Sequence, residues 1–274
     1  MADKGIGNGF LDAADAACSE AFIKDGYIIG AAEDRSALDR IRALIAGVAA
    51  KSLGLPNPED PDRFLNRIGE RVEPAKLNDF RLAVIKGMNA EPWLRQAYFA
   101  VARAAVQCIA GNELCMQRRV NLSIQLPGDS SSLLPVHSDT WSGDSPFEVV
   151  LWIPLVDCYR TKSMYILPPA GASKIQRNLA AFAGRSAEDI FRDIEREVAW
   201  LEIPYGKFLL FNQNLPHGNR VNAEADARWS MNCRFKGVFT PYADKKLGEF
   251  FEPITLRAAS RIGLDYEAPG SFSE

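Results

Sequence analysis

The chain has 274 residues, 47% hydrophobic and 24% charged, with 35 acidic against 32 basic side chains and a formal net charge of −3. That is ordinary for a globular protein long enough to bury a substantial core. With no basic tract and no run of 18 apolar residues, it offers neither the electrostatic footprint of a nucleic-acid binder nor a membrane span.

Five cysteines, Cys18, Cys108, Cys115, Cys158 and Cys233, are scattered, odd in number and never in a Cys-x-x-Cys pair. That usage predicts reduced thiols in a cytoplasmic protein rather than a disulfide framework. The first 22 residues lack the apolar stretch of a secretory signal.

In chain order, "DGYIIGAA" predicts a short entering strand, and the region up to about residue 115 is otherwise mostly helical. In "DRSALDRIRALIAGVAAKSLG", Leu38, Ile41, Leu44, Ile45 and Val48 form one stripe, with Asp34 at the start and Gly54 past the end. The proline-rich "LGLPNPEDPDRF" predicts a loop; "AKLNDFRLAVIKGM" and "EPWLRQAYFAVARAAVQCIAG" each predict another amphipathic helix.

The texture changes near Cys115. "MQRRVNLSIQL" alternates with period two, Met116, Val120, Leu122, Ile124 and Leu126 facing one way and Asn121, Ser123 and Gln125 the other. "FEVVLWIPLVD", "SMYILP", "KFLLFN" and "RWSMNCRFKGVF" predict further strands. A helix over "SAEDIFRDIEREVAWL" interrupts them, and another around "ITLRAASRIG" closes the chain. Helices first and short strands later predict an α+β fold. The expected core is a jelly-roll or cupin-like barrel over about 116–242, with a helical N-terminal flank over about 1–115 and a C-terminal helical segment over 243–274, all in one domain spanning 1–274.

The chain contains two histidines. His137 lies two residues before Asp139, so on a strand both side chains project from one face. His217, just after "KFLLFN", can supply a third ligand from a neighbouring strand. Two histidines and one carboxylate make the facial triad of non-haem Fe(II) oxygenases. A lone His-x-Asp is common on surface turns; the segment beyond His217 strengthens the case. In "ARWSMNCRF", Arg228, Ser230, Asn232 and Arg234 share one face and Trp229, Met231, Cys233 and Phe235 the other. A polar strand face is either solvated or turned into a ligand-holding barrel, where an arginine and a serine can grip a carboxylate.

The set of His137-x-Asp139, a distal His217 and Arg228-x-Ser230 resembles the pattern of the Fe(II)/2-oxoglutarate-dependent oxygenases. "DGYIIGAA" and "HSDTWSGDSPFEVVLWIPLVDCYRTKSMYILPP" are similar to its phytanoyl-CoA-hydroxylase-like branch, and the longer block to oxygenases of sporadic carbohydrate gene clusters. The likeness covers roughly residues 22–242. It implies a double-stranded β-helix, Fe(II) on His137, Asp139 and His217, and 2-oxoglutarate as cosubstrate with its distal carboxylate on Arg228 and Ser230. With O2, such an enzyme oxidises a small molecule while 2-oxoglutarate becomes succinate. The branch's gene-cluster likeness implies a sugar, a sugar nucleotide or an aminoglycoside-like metabolite. The chain departs from the branch where a Gly-rich turn is usual, having "TKSMYILPPAGASK" instead; its intact Asp139 separates it from halogenases.

Gln125, at the end of the alternating strand, is a candidate contact to cosubstrate or substrate, or else a structural amide. Trp141 and Asp144 are candidate substrate residues, the first by stacking on a sugar ring, the second by binding hydroxyls; their alternatives are packing and a turn cap. Two other readings stay open: a cupin-type metal-dependent sugar isomerase or epimerase, which has no use for an inward Arg228 and Ser230, and a non-catalytic sugar-binding jelly roll.

Overall fold

A computed structural model describes residues 10–182 and 184–267. Helix α1 (Ala13–Asp25) buries none of its residues and ends at Gly26, whose φ of 78° closes the helix in the left-handed region. It leads into strand β1 (Tyr27–Ala31), the predicted entering strand. Helix α2 (Arg35–Ser52) begins where the Asp34 carboxylate accepts from the Ala37 N–H, and its stripe Leu38, Ile41 and Ile45 is fully buried.

Several elements differ from the sequence pattern. The proline-rich loop gives way to helix α3 (Pro61–Asn66), because Asp60 caps it and Pro61 suits the first turn. Helix α4 (Leu77–Asn89) follows. The long helix expected over 91–111 breaks into α5 (Leu94–Ala100) and α6 (Arg103–Ala110). Between them the Val101 carbonyl accepts from Glu33 N–H, and the Glu33 carboxylate accepts from Ala104 and Ala105 N–H, so a distant acid caps α6.

The single strand expected over 116–126 is two, β2 (Leu114–Gln117) and β3 (Asn121–Gln125). Arg118 N–H turns to Phe250 O and Val120 N–H to the Asn89 side chain, so the ladder is interrupted while the period-two facing is kept. Strand β4 (Val149–Pro154) lies where the pattern places it; β5 (Tyr165–Ile166) is shorter than the strand expected over "SMYILP", and helix α7 (Pro169–Arg177) follows it. Helix α8 (Ala187–Ile194) stops early and its expected end becomes strand β6 (Ala199–Trp200). Strands β7 (Lys207–Asn212), β8 (His217–Gly218) and β9 (Arg228–Gly237) follow. The closing segment is divided between strand β10 (Phe251–Thr255) and helix α9 (Ala258–Leu264).

The result is a mixed helix and antiparallel-sheet fold. A seven-stranded sheet runs β1-β7-β4-β9-β2-β10, with β3 also paired to β9, and β6-β5-β8 form a second sheet. The main sheet therefore draws strands from outside 116–242, β1 from the helical flank and β10 from the C-terminal segment. Strand β9 is its spine, bonded to β4, β2 and β3. Its apolar face packs on the helices: Trp229 donates to Leu65 O at 2.8 Å and meets Phe80 edge-on at 6.0 Å, while Phe235 lies 5.8 Å from Phe99. Its polar face turns away from the helices, toward the second sheet. Among the described residues no helix is long and apolar enough to cross a membrane.

Candidate metal and cosubstrate site

The two histidines meet through their backbones. His137 N–H donates to His217 O at 3.0 Å and His217 N–H to His137 O at 2.8 Å, an antiparallel bridge that brings the ring centroids to 4.3 Å. His137 and Asp139 do not share a regular strand: extended Ser138 separates the bridge from a 3-10 turn that begins at Asp139. The Asp139 N–H is tied to Gln213 O at 3.1 Å, which turns its side chain toward the imidazoles. One ligand atom from each of His137, Asp139 and His217 lies within 4.8 Å of the others.

Both imidazoles are oriented alike. The His137 Nδ1 is 2.9 Å from Pro135 O and the His217 Nδ1 2.8 Å from Leu215 O. A carbonyl only accepts, so each Nδ1 carries the hydrogen and each Nε2 presents a lone pair. Asp139 is nearly buried; Arg234 Nη2 donates to its Oδ2 at 2.8 Å, and its Oδ1 is 3.4 Å from His137 Nε2. Two imidazole nitrogens and one carboxylate oxygen, each held by a second partner, form a donor set that could hold a metal ion.

The titration of these groups follows from burial and charge. Burial and the neighbouring His137 pull His217 down to about 4, so it is neutral through the ordinary range. Burial acts the same way on His137, but the protonated ring would donate from Nε2 to Asp139 and from Nδ1 to Pro135 O, and these bonds with the charge of Asp139 outweigh burial and raise the imidazole above its usual value. For Asp139 burial is overcome by the hydrogen bond to His137 and the charge of Arg234, which hold the carboxyl well below the usual range.

A cavity of about 110 Å³ connects this cluster to Arg228, lined also by Ser123, Trp152, Asn232 and Arg234. Arg228 is 3% exposed; Nη1 donates to Ser163 O at 3.0 Å and Nη2 to Ser123 Oγ at 2.9 Å, while its Nε has no partner. Burial lowers it to about 10, which leaves it charged at neutral pH, and among the described residues no carboxylate pairs with it. A buried guanidinium without a counter-ion costs several kcal/mol. Ser230, on the same face of β9, is fully buried and its hydroxyl is also unpartnered. Gln125 sits opposite Arg228 in the β3–β9 register; its Nε2 donates to Arg220 O at 2.5 Å and its Oε1 has no partner.

The remaining two candidates lie elsewhere. Trp141, 39% exposed, and Asp144 border a separate groove of about 710 Å³ between α1 and α7. The Asp144 carboxylate accepts from Lys245 and lies 3.4 Å from Arg234, within a buried ion cluster. Sequence reasoning assigned no role to Arg234, Ser123 or Gln213. The first two stand on polar faces of period-two strands, which was the available signal; nothing local marks Gln213.

No protein-family model and no curated protein sequence matches the chain. Solved structures do. The chain is similar to HygX from Streptomyces hygroscopicus with nickel and 2-oxoglutarate bound, at 12% identity over 88% of this chain and 91% of that one, with a TM-score of 0.55. It is also similar to the non-heme alpha ketoglutarate dependent carbocyclase SnoK from nogalamycin biosynthesis, at 16% identity, 87% and 96% coverage and a TM-score of 0.53. A third is the non-heme monooxygenase ThoJ in its nickel complex, at 14% identity, 93% and 89% coverage and a TM-score of 0.50. The likeness, at 12–16% identity, is one of fold.

Proposed function

We propose that this protein is an Fe(II)- and 2-oxoglutarate-dependent oxygenase with a double-stranded β-helix core, acting on a polar, sugar-like small molecule in a reducing, cytoplasmic setting. One observation carries the reading: a buried, charged Arg228 with an unpaired Nε and no acid partner shares a small cavity with the His137–Asp139–His217 cluster. The cavity asks for an anion at one end and a cation at the other, and the dicarboxylate 2-oxoglutarate bridges the two. HygX, with nickel and 2-oxoglutarate bound, supports the pairing. An isomerase or a sugar-binding module leaves the charge of Arg228 unexplained.

In this reading His137, Asp139 and His217 hold iron, which when bound supplies O2 activation coupled to oxidative decarboxylation of 2-oxoglutarate to succinate. Arg228 neutralises the distal carboxylate and Ser230 donates to it; Gln125, opposite Arg228 in the register, directs its amide nitrogen to Arg220 O and leaves only an acceptor oxygen free. Val150, Trp152, Met164 and Phe211 line the cavity and keep water away from the reacting end. At about 110 Å³ the cavity falls below the roughly 300–1,000 Å³ typical of organic ligand sites. It suits the cosubstrate alone, and the molecule to be oxidised approaches from the mouth, where His137 is partly exposed. Trp141, two residues past Asp139, borders the separate groove and is the candidate for stacking on a sugar ring there.

Anaerobic addition of Fe(II) and 2-oxoglutarate should give a weak visible charge-transfer band that Asp139→Ala abolishes. Arg228→Ala should weaken 2-oxoglutarate roughly 10- to 150-fold, the worth of one charge-assisted hydrogen bond. Full iron binding by the first variant, or unchanged cosubstrate affinity in the second, overturns the assignment. Substrate-stimulated succinate formation across sugars, nucleotide sugars and aminoglycosides then tests the substrate class.

A further inference from the structure

Asp139 is gripped by more than the site needs to hold a metal. Its Oδ2 accepts from Arg234 Nη2 at 2.8 Å, and Arg234 is itself fixed from three sides. Its Nε donates to Gln213 Oε1 at 3.0 Å and lies 3.4 Å from Asp144 and 3.8 Å from Glu148. Gln213 Nε2 donates in turn to Glu148 Oε2 at 3.1 Å, and Lys245 Nζ to Asp144. Three carboxylates, Asp139, Asp144 and Glu148, thus face two cations, Arg234 and Lys245, in a largely buried cluster. A cluster of this kind is a poor source of stability, since removing charges from water costs about what their attraction returns. Its geometry does one thing a packed apolar cluster could not: it occupies one oxygen of Asp139 and leaves the other facing His137 Nε2.

We propose that Arg234 is a positioning residue that takes Oδ2 of Asp139 out of a metal's reach and leaves Oδ1 as the single carboxylate ligand atom, with Asp144 and Lys245 holding Arg234 to that task. A carboxylate left free can offer both oxygens and block a coordination position that cosubstrate or O2 needs. The device also has an outer end. Asp244 N–H donates to Gly143 O at 3.2 Å and Ser145 Oγ to Pro241 O at 2.6 Å. The segment over 241–245 is thereby fastened to the loop that carries Asp139 and Asp144.

The inference rests on the proposed metal site, and the test separates the two. Co(II) affinity of the full-length protein, by chelator competition, and the Co(II) visible absorption spectrum are measured for wild type, Arg234→Gln, Arg234→Lys and Asp144→Asn, with the melting temperature of each metal-free protein. Outer partners of metal ligands are typically worth 10–100-fold in affinity. Arg234→Gln should lose about that much and change the Co(II) spectrum, Arg234→Lys should recover part of both, and Asp144→Asn should shift both the same way by less. Unchanged Co(II) affinity and spectrum in Arg234→Gln, with or without a lower melting temperature, overturns the positioning role. Should that variant not fold, wild-type spectra in both Arg234→Lys and Asp144→Asn overturn it equally. Absence of Co(II) binding in wild type sinks the metal site itself.

Discussion

At the scale of single residues, His217 is the most informative. Its folded value of about 4 lies below the usual 6.5, so between those values the unfolded chain binds a proton that the folded chain refuses. Stability contributed by neutral His217 is therefore complete above about 6.5 and lost as pH falls toward 4, a difference of up to about 3 kcal/mol. His137 works in the opposite sense: its raised value stabilises the fold below the usual value and that contribution disappears as pH rises through the folded one. Urea unfolding of the metal-free protein at pH 5 and pH 7.5 isolates the first effect, because His217→Leu should flatten the acid-side loss. An equally steep loss in that variant would show that His217 titrates as an ordinary surface group. The two histidines and Asp139 were legible as candidates because spacing and scarcity single them out. Their tautomers were not, since those depend on carbonyls that only the folded backbone brings within reach.

Elements decide where those side chains go, and Gly26 shows how tightly. It ends α1 with φ at 78°, and an added Cβ there would fall 2.2 Å from Leu215 Cδ1. Leu215 O is the carbonyl that orients His217. Gly26→Ala should therefore destabilise the fold by about 1–3 kcal/mol through backbone strain and overpacking, and should also weaken metal binding. Thermal unfolding and Co(II) titration check it; loss of stability with undiminished affinity would uncouple α1 from the site. Strand β9 was legible in the sequence by its period of two, and β4 and β7 as short apolar runs that end up buried almost throughout. The β2–β3 interruption and the α5–α6 break were not. Each depends on a partner distant in sequence, Phe250 or Asn89 in one case and Glu33 in the other, that offers the backbone a better bond than continuing the element.

For the whole molecule, one large apolar cluster runs from α2 and α4 through the main sheet to β5 and β7, so the helical flank and the strands bury a common core. We expect the chain to unfold as one unit. Ligands bound only by the folded state raise stability by mass action, about 2.7 kcal/mol at one hundred times Kd. For a chain of this size 1 kcal/mol corresponds to about 2–4 °C. Saturating Ni(II) with 2-oxoglutarate should then raise a single melting transition by roughly 5–10 °C, measured by scanning calorimetry. Two transitions, one of them indifferent to ligand, would mean that the helices and sheets are separate folding units. The α+β character and the helices-first order were legible from the change of period near Cys115. The reach of the main sheet into β1 and β10 was not, because strand pairing across the whole chain leaves no local mark.

Strand β9 carries Arg228 and Arg234 on one face, six residues apart, with Trp229 and Phe235 on the other. At about 3.3 Å per residue that fixes roughly 20 Å between the backbone positions from which the two arginines project along one rigid rod. Inserting or deleting a single residue midway would turn half the rod over, sending one arginine into the oily layer beneath and an aromatic ring into the chamber. The loops around the rim face no such rule. Divergence among proteins built this way should accumulate at the rim, where new ligands can be admitted while the spacing of the two anchors stays put.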